Sequence, residues 1–169
     1  MKLRLIQHIR PSRGLLRAGR LSFPCAIGRT GIRKDKREGD GATPIGEYEL
    51  RRVLYRADRL PAPETALELN PIGPRDGWCD APGHADYNCQ VQLPLNVSAE
   101  RLRRADPLYD IVVVLGYNDA PVINGMGSAI FMHVATPGFA PTAGCVALRR
   151  EDLLTVLRMC GPGSRMRIG

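Results

Sequence analysis

A histidine and a cysteine stand twelve residues apart in the stretch His133-Val-Ala-Thr-Pro-Gly-Phe-Ala-Pro-Thr-Ala-Gly-Cys145-Val-Ala-Leu148. A thiolate is a strong nucleophile, but most free cysteines are protonated at neutral pH. An imidazole nearby can take that proton and later return it to a leaving amine. Gly144 lets the backbone bend sharply before the cysteine and frees amide N–H groups to face a developing oxyanion. Together these types and spacings point to cysteine acyl transfer. The competing interpretation is structural. Free cysteine often behaves as a small buried hydrophobe, and closeness of Cys and His in sequence does not ensure closeness in space.

A second segment, Gly39-Asp-Gly-Ala-Thr43-Pro44-Ile45-Gly46-Glu47-Tyr48, bears on that choice. Thr43-Pro-Ile-Gly-Glu-Tyr48 upstream, His133, and Thr142-Ala-Gly-Cys-Val146 downstream, in that order, resemble the L,D-transpeptidase catalytic domain (YkuD-like) family. The resemblance spans about residues 23–160. Two departures stand out. The segment between His133 and Cys145 is shorter than is usual in the family. Ala147 also stands two residues after the cysteine, where Arg or Asn is frequent. Arg149 lies two further on, and on an extended strand a step of two keeps the same face, so Arg149 is expected to substitute.

The resemblance implies a mainly β fold, a β-sandwich or barrel with one or two short helices packed on it, in a single domain over residues 1–169. It implies attack by Cys145 on the bond between a diamino acid and a terminal D-alanine in a peptidoglycan stem peptide. His133 would be the base, held in one tautomer by the carbonyl of Val134 or a neighbour. The amides of Gly144 and Cys145 would form the oxyanion hole. Thr43 and Thr142 fall in the matched elements and are expected at the substrate. No metal or organic cofactor is implied. The thioester can pass to an amine, giving a cross-link, or to water, giving L,D-carboxypeptidation of the kind that suits recycling of tetrapeptide muropeptides.

Charge is unevenly placed. The net charge is +7, yet residues 1–37 hold eleven basic residues against one acid, Asp35. A basic face attracts anions, although arginine-rich surfaces are often only solvated. For Arg29, Lys36 and Arg37, beside the Thr-Pro element, we expect contacts with substrate carboxylates. A non-catalytic basic binding module, for nucleic acid for instance, is the alternative of another class. Three Phe and no aromatic residues interleaved with the basic ones argue against it, and we expect no nucleic-acid partner.

Five cysteines, an odd number without a Cys-x-x-Cys pair, argue against a disulfide framework and for a reducing compartment. Residues 1–10 lack the apolar run of ~7–15 residues of a secretory signal, and no run approaches the ~18 apolar residues of a membrane span. A cytoplasmic location is expected, periplasmic if a leader has been removed. Cys79, His84 and Cys89 match no standard zinc spacing and lack an evident fourth ligand. Residues 28–46 are expected to form a Gly-rich, charged loop, and its Gly39–Gly46 segment lacks the Gly-Lys-Ser/Thr ending of a phosphate loop. Oligomeric state is not legible.

The elements that must position these residues read as follows. Strands are expected over 3–9, 15–18, 20–27, 47–55, 109–115, 129–135 and 165–168, with Pro24 marking an edge or bulge. Ser98 is expected to cap a short helix over 99–104, and 151–160 has helical spacing in Leu153, Leu154, Val156, Leu157 and Cys160. Residues 56–88 form a long Pro-, Asp- and Gly-rich segment whose Trp78, His84, Tyr87 and Asn88 are candidates for a pocket wall. The loop Gly116–Gly127 is expected to bring Tyr117 and Asn118 to the site.

Overall fold

The computed structural model describes residues 1–169. The fold is mainly β, as expected. Its principal strands are β1 (Lys2–Gln7), β2 (Arg13–Ala18), β3 (Leu21–Ala26), β6 (Gly46–Tyr55), β11 (Ile111–Leu115), β12 (Phe131–Val134), β13 (Val146–Leu148) and β14 (Arg165–Ile168). They pair in the order β11-β12-β13-β3-β2-β1-β14-β6, and β6 pairs back to β11, so the sheet closes on itself. The ten-residue β6 makes closure possible. Its first half, Gly46–Glu49, pairs with β14, and its second half, Leu50–Tyr55, pairs with β11. Closure leaves no open edge among these strands. A short β7 (Leu69–Pro71) adds to β6 over Val53–Tyr55.

Alternation within the strands sends side chains to two cores. The larger holds Leu3, Leu5, Leu16, Val113, Met132, Val134, Val146 and Leu148. The single helix α1 (Arg150–Arg158) buries Leu153, Val156 and Leu157 there, on one face at helical spacing. The smaller core lies on the other face of the same strands and holds Leu54, Val112, Val114 and Phe131. A second, three-stranded sheet covers it: β8 (Asp76–Cys79) between β9 (Gln90–Gln92) and β10 (Ala99–Arg101), contributing Trp78 and Leu102.

Two expectations need correction. Residues 99–101 form strand β10, not the start of a helix, with Ala99, Glu100 and Arg101 paired to Cys79, Trp78 and Gly77. A six-residue helix has too few turns to repay its nucleation, whereas the strand gains a ladder and buries Leu102 completely. Residues 28–46 are not wholly loop either: β4 (Ile32–Arg33) and β5 (Thr43–Pro44) make a small parallel pair. Pro24 lies inside β3, opposite Leu15 of β2, but β13 has already stopped at Leu148 opposite Cys25, so its missing N–H faces a local edge. No helix is long and apolar enough to cross a membrane.

Candidate active site

The turn before β13 is built around Thr142 and Gly144. The Thr142 backbone is tied to Ile27 and Arg29 by two hydrogen bonds of 3.0 Å each. Its hydroxyl donates to the Cys145 carbonyl at 2.7 Å and accepts from the Gly144 amide at 3.1 Å. Gly144 has φ +145°, and a Cβ there would stand 2.7 Å from the Ala42 carbonyl oxygen. Only glycine fits. Thr43, completely buried, donates from Oγ1 to the Gly144 carbonyl at 2.8 Å and accepts from the Gly28 amide at 2.9 Å. The Thr-Pro element thus braces the turn that carries Cys145.

Strands β12 and β13 run parallel with Met132 opposite Val146 and His133 opposite Ala147. Alternation places Phe131, His133, Cys145 and Ala147 on the face away from the larger core. His133, Cys145 and Ala147 line one cleft of about 460 Å³. His133 is 6 % exposed, and its Nδ1 donates to the Val134 carbonyl at 2.9 Å, one of the partners the resemblance implied. With Nδ1 carrying the proton, Nε2 is the basic nitrogen. Tyr109 packs edge-on against the imidazole, ring centroids 5.2 Å apart.

Burial acts on both groups and favours their neutral forms. It lowers the His133 pKa to about 4 and pushes the Cys145 thiol up to about 12, the Glu100 charge adding to the latter. The resting pair is therefore neutral thiol and neutral imidazole. The thiol donates to the Ala129 carbonyl at 3.1 Å, and the Phe131 amide donates to Sγ at 3.3 Å. No hydrogen bond joins Sγ to His133. The Cys145 amide donates to no protein acceptor, whereas the Gly144 amide is engaged by Thr142. Of the two expected oxyanion donors, one is free and the other is occupied.

Ala129, with φ +52°, is held by a buried hub. Asn88 Oδ1 accepts from the Trp78 indole at 2.9 Å and from the Ala129 amide at 3.0 Å. Asn88 Nδ2 donates to the carbonyls of Tyr117 and Asn118 at 3.0 and 2.8 Å. Trp78 and Asn88 therefore lie behind the site.

The other residues expected at the substrate divide. Arg29, Lys36 and Thr142 line the cleft; Lys36 is buried and paired with Asp40 at 2.6 Å. Arg37, Tyr117, Asn118 and Arg149 are not brought to it. Arg37 reaches Met126 Sδ at 2.9 Å. The Tyr117 hydroxyl donates to the Met126 carbonyl, and Asn118 bonds Ile123 and Gly127, so both fix their own loop. Arg149 falls outside β13, which ends at Leu148, and its guanidinium sits 5.5 Å from the Phe139 ring centroid. The strand argument for Arg149 fails because α1 begins at Arg150. No three or more His, Cys, Asp or Glu side chains gather where they could hold a metal ion.

Sequence reasoning missed Glu38, Asp80, Glu100, Arg104, Tyr109 and Ser128, all lining the cleft. The mistaken helix hid Glu100. On a strand, Glu100 shares a face with Leu102 and stands opposite Trp78, which directs it inward.

A family model, that of the YkuD L,D-transpeptidase catalytic domain, matches residues 12–168. The chain belongs to the L,D-transpeptidase catalytic domain family. It is a peptidoglycan enzyme of that family, whose substrate is the stem peptide. Comparison with curated proteins and with solved structures finds no match.

Proposed function

We propose that the protein is a cysteine-dependent L,D-carboxypeptidase that releases D-alanine from peptidoglycan stem tetrapeptides, in a reducing, cytoplasmic setting. The observation that carries the reading is that Cys145 and His133 line one cleft from the same face of the sheet, with His133 Nδ1 fixed on Val134. In the first step Sγ turns from the Ala129 carbonyl toward His133, and Nε2 takes its proton. The thiolate attacks the carbonyl of the diamino acid, and the Cys145 amide stabilises the oxyanion. One such donor is typically worth about 3 kcal/mol in the transition state. The tetrahedral intermediate collapses, the C–N bond breaks, and the imidazolium returns its proton to the departing D-alanine amine. Water, deprotonated by His133, then cleaves the thioester and frees the tripeptide. Thiol and imidazole are restored.

Hydrolysis is favoured over cross-linking by two features. The short segment between His133 and Cys145 forms one wall of the cleft through Thr136, Ala140, Pro141 and Ala143, giving a bounded site in which water suffices as the second reactant. All five cysteines are free thiols, which suits a reducing compartment. Mass spectrometry of a tetrapeptide muropeptide incubated with the protein tests the reading. Loss of one D-alanine without dimers supports it; dimers assign transpeptidation instead. If neither product forms and no thioester mass appears on Cys145, the proposal fails.

A further inference from the structure

The chain is basic, yet the balance of charge inside the cleft runs the other way. Of the three cations that line it, two are already neutralised by the protein, Lys36 by Asp40 at 2.6 Å and Arg104 by Asp106 at 2.6 Å, which leaves Arg29. Three carboxylates on the opposite side of the ledger, Glu38, Asp80 and Glu100, have no cationic partner within ion-pair distance. Glu38 is held in place by the hydroxyls of Tyr87 at 2.5 Å and Ser128 at 2.7 Å. Glu100 accepts from the Tyr109 hydroxyl at 2.6 Å. Asp80 Oδ1 is buried and has no hydrogen-bond partner at all; it is the one such side-chain atom in the protein.

A buried, unpartnered carboxylate oxygen is costly unless something completes it. Neutral hydroxyls orient Glu38 and Glu100 but cancel none of their charge. Burial raises the Glu100 carboxyl pKa, and the charges of Asp80 and Glu38 add to the rise, while Tyr109 and Arg104 oppose it. Glu100 also acts on the Cys145 thiol through its charge, so the carboxylates and the proposed nucleophile share one electrostatic environment. A ligand that brings a cation to this wall completes the Asp80 oxygen and offsets part of the surplus negative charge. The stem peptide has one group of that kind near the cleaved bond: the free side-chain ammonium of its diamino acid.

We infer that Glu38, Asp80 and Glu100 form an ammonium-binding wall that selects stem peptides whose diamino-acid side-chain amine is free. The inference rests on the proposed reading of the cleft as the acyl-donor site. Its consequence is a filter. Stems whose side-chain amine is acylated, as in a cross-link, have no cation for the wall and leave the three carboxylates uncompensated. The enzyme then trims only uncross-linked strands or free muropeptides.

Two readouts keep this inference separable from the carboxypeptidase reading. The first is D-alanine release from a tetrapeptide with a free side-chain amine and from the same peptide acetylated on that amine. Loss of a charge-assisted contact to half-buried carboxylates is expected to lower kcat/KM for the acetylated peptide by roughly 30-fold. Asp80→Asn and Glu38→Gln should each narrow the preference at least about threefold, since each removes charge while keeping shape. The second readout is equilibrium binding of both peptides to Cys145→Ala. Preferential binding of the free-amine peptide supports the wall even where no D-alanine is released, in which case only the hydrolase reading falls. Equal rates or equal affinities overturn the wall while leaving the hydrolase intact. A preference undiminished in both variants assigns it elsewhere and overturns the role of these carboxylates. Failure to bind either peptide removes both readings.

Discussion

On one face of β12 and β13, Met132, Val134, Val146 and Leu148 sink into the larger core beneath α1; on the other, Phe131 enters the smaller core while His133, Cys145 and Ala147 border the cleft. The same short backbone serves both, and both faces are nearly dry. On the first, burial stabilises the fold because every side chain is apolar, each worth about 1.5–3 kcal/mol when fully buried. On the second, the same exclusion of water keeps an imidazole and a thiol in their neutral forms. Desolvation supplies stability to one face and reactivity control to the other. Substitutions on the two faces should therefore separate folding from activity.

The largest expected effect is Cys145→Ala. D-alanine release should fall by about 10⁴-fold or more, since removing a nucleophile leaves only binding and the oxyanion donor. Loss of one partly hydrogen-bonded sulfur should leave the thermal midpoint nearly unchanged. Leu148→Ala, three residues away on the other face, should do the reverse. It should cost about 2–5 kcal/mol in urea unfolding while the activity per folded molecule is retained. Should Leu148→Ala cut kcat as deeply as it cuts stability, the two faces are not independent.

A pH series sharpens the same contrast. The folded His133 pKa is about 4, below its ordinary 6.5. Between those values the unfolded chain binds the proton and the folded chain does not, so stability rises with pH. This contribution is fully present above pH 6.5 and is lost as pH falls through 4. It should amount to about 3 kcal/mol between pH 7 and pH 4. Urea midpoints of wild type and His133→Gln over that range isolate it, because other acid-sensitive groups are common to both. Parallel curves would falsify the dry, neutral state of His133. No such titration accompanies the apolar face.

The legibility of the sequence followed the same division. Strand alternation and turn residues disclosed the predominance of strands, the strand that carries His133 and the helix that follows Cys145, because period and punctuation are local signals, while the sandwich or barrel came from the family resemblance. The Val134 carbonyl came from the family resemblance rather than from any local pattern, and Nδ1 of His133 lies 2.9 Å from it. The cleft's far wall was not. Asp80 follows β8 directly, and Glu100 lies in β10, whose pairing with β8 no local pattern encodes, so the stretch 99–104 that also carries Arg104 reads as helix. Tyr117 and Asn118 were expected at the site, but their loop is tied from behind by Asn88, a contact made across about thirty residues of chain. Closed sheets hide such assignments because the decisive neighbours are distant in sequence.

Thr43 is where the two kinds of reading meet, and it carries the smallest predicted effect. The family resemblance places it at the substrate; the structure buries it completely, between the Gly28 amide and the Gly144 carbonyl. Thr43→Val keeps the shape but removes both hydrogen bonds, leaving one donor and one acceptor buried without partners. Stability should drop by about 1–3 kcal/mol. Gly144 immediately precedes Cys145, so a loosened turn should lower kcat severalfold while KM barely moves. Thr43→Ser, which restores the hydroxyl, should recover most of kcat. If instead Thr43→Val raises KM at unchanged stability, Thr43 meets the substrate and the brace is misassigned. The distinction matters because a brace links the two faces: it draws on packing around Ala42 and Gly144 to aim a thiol on the cleft side.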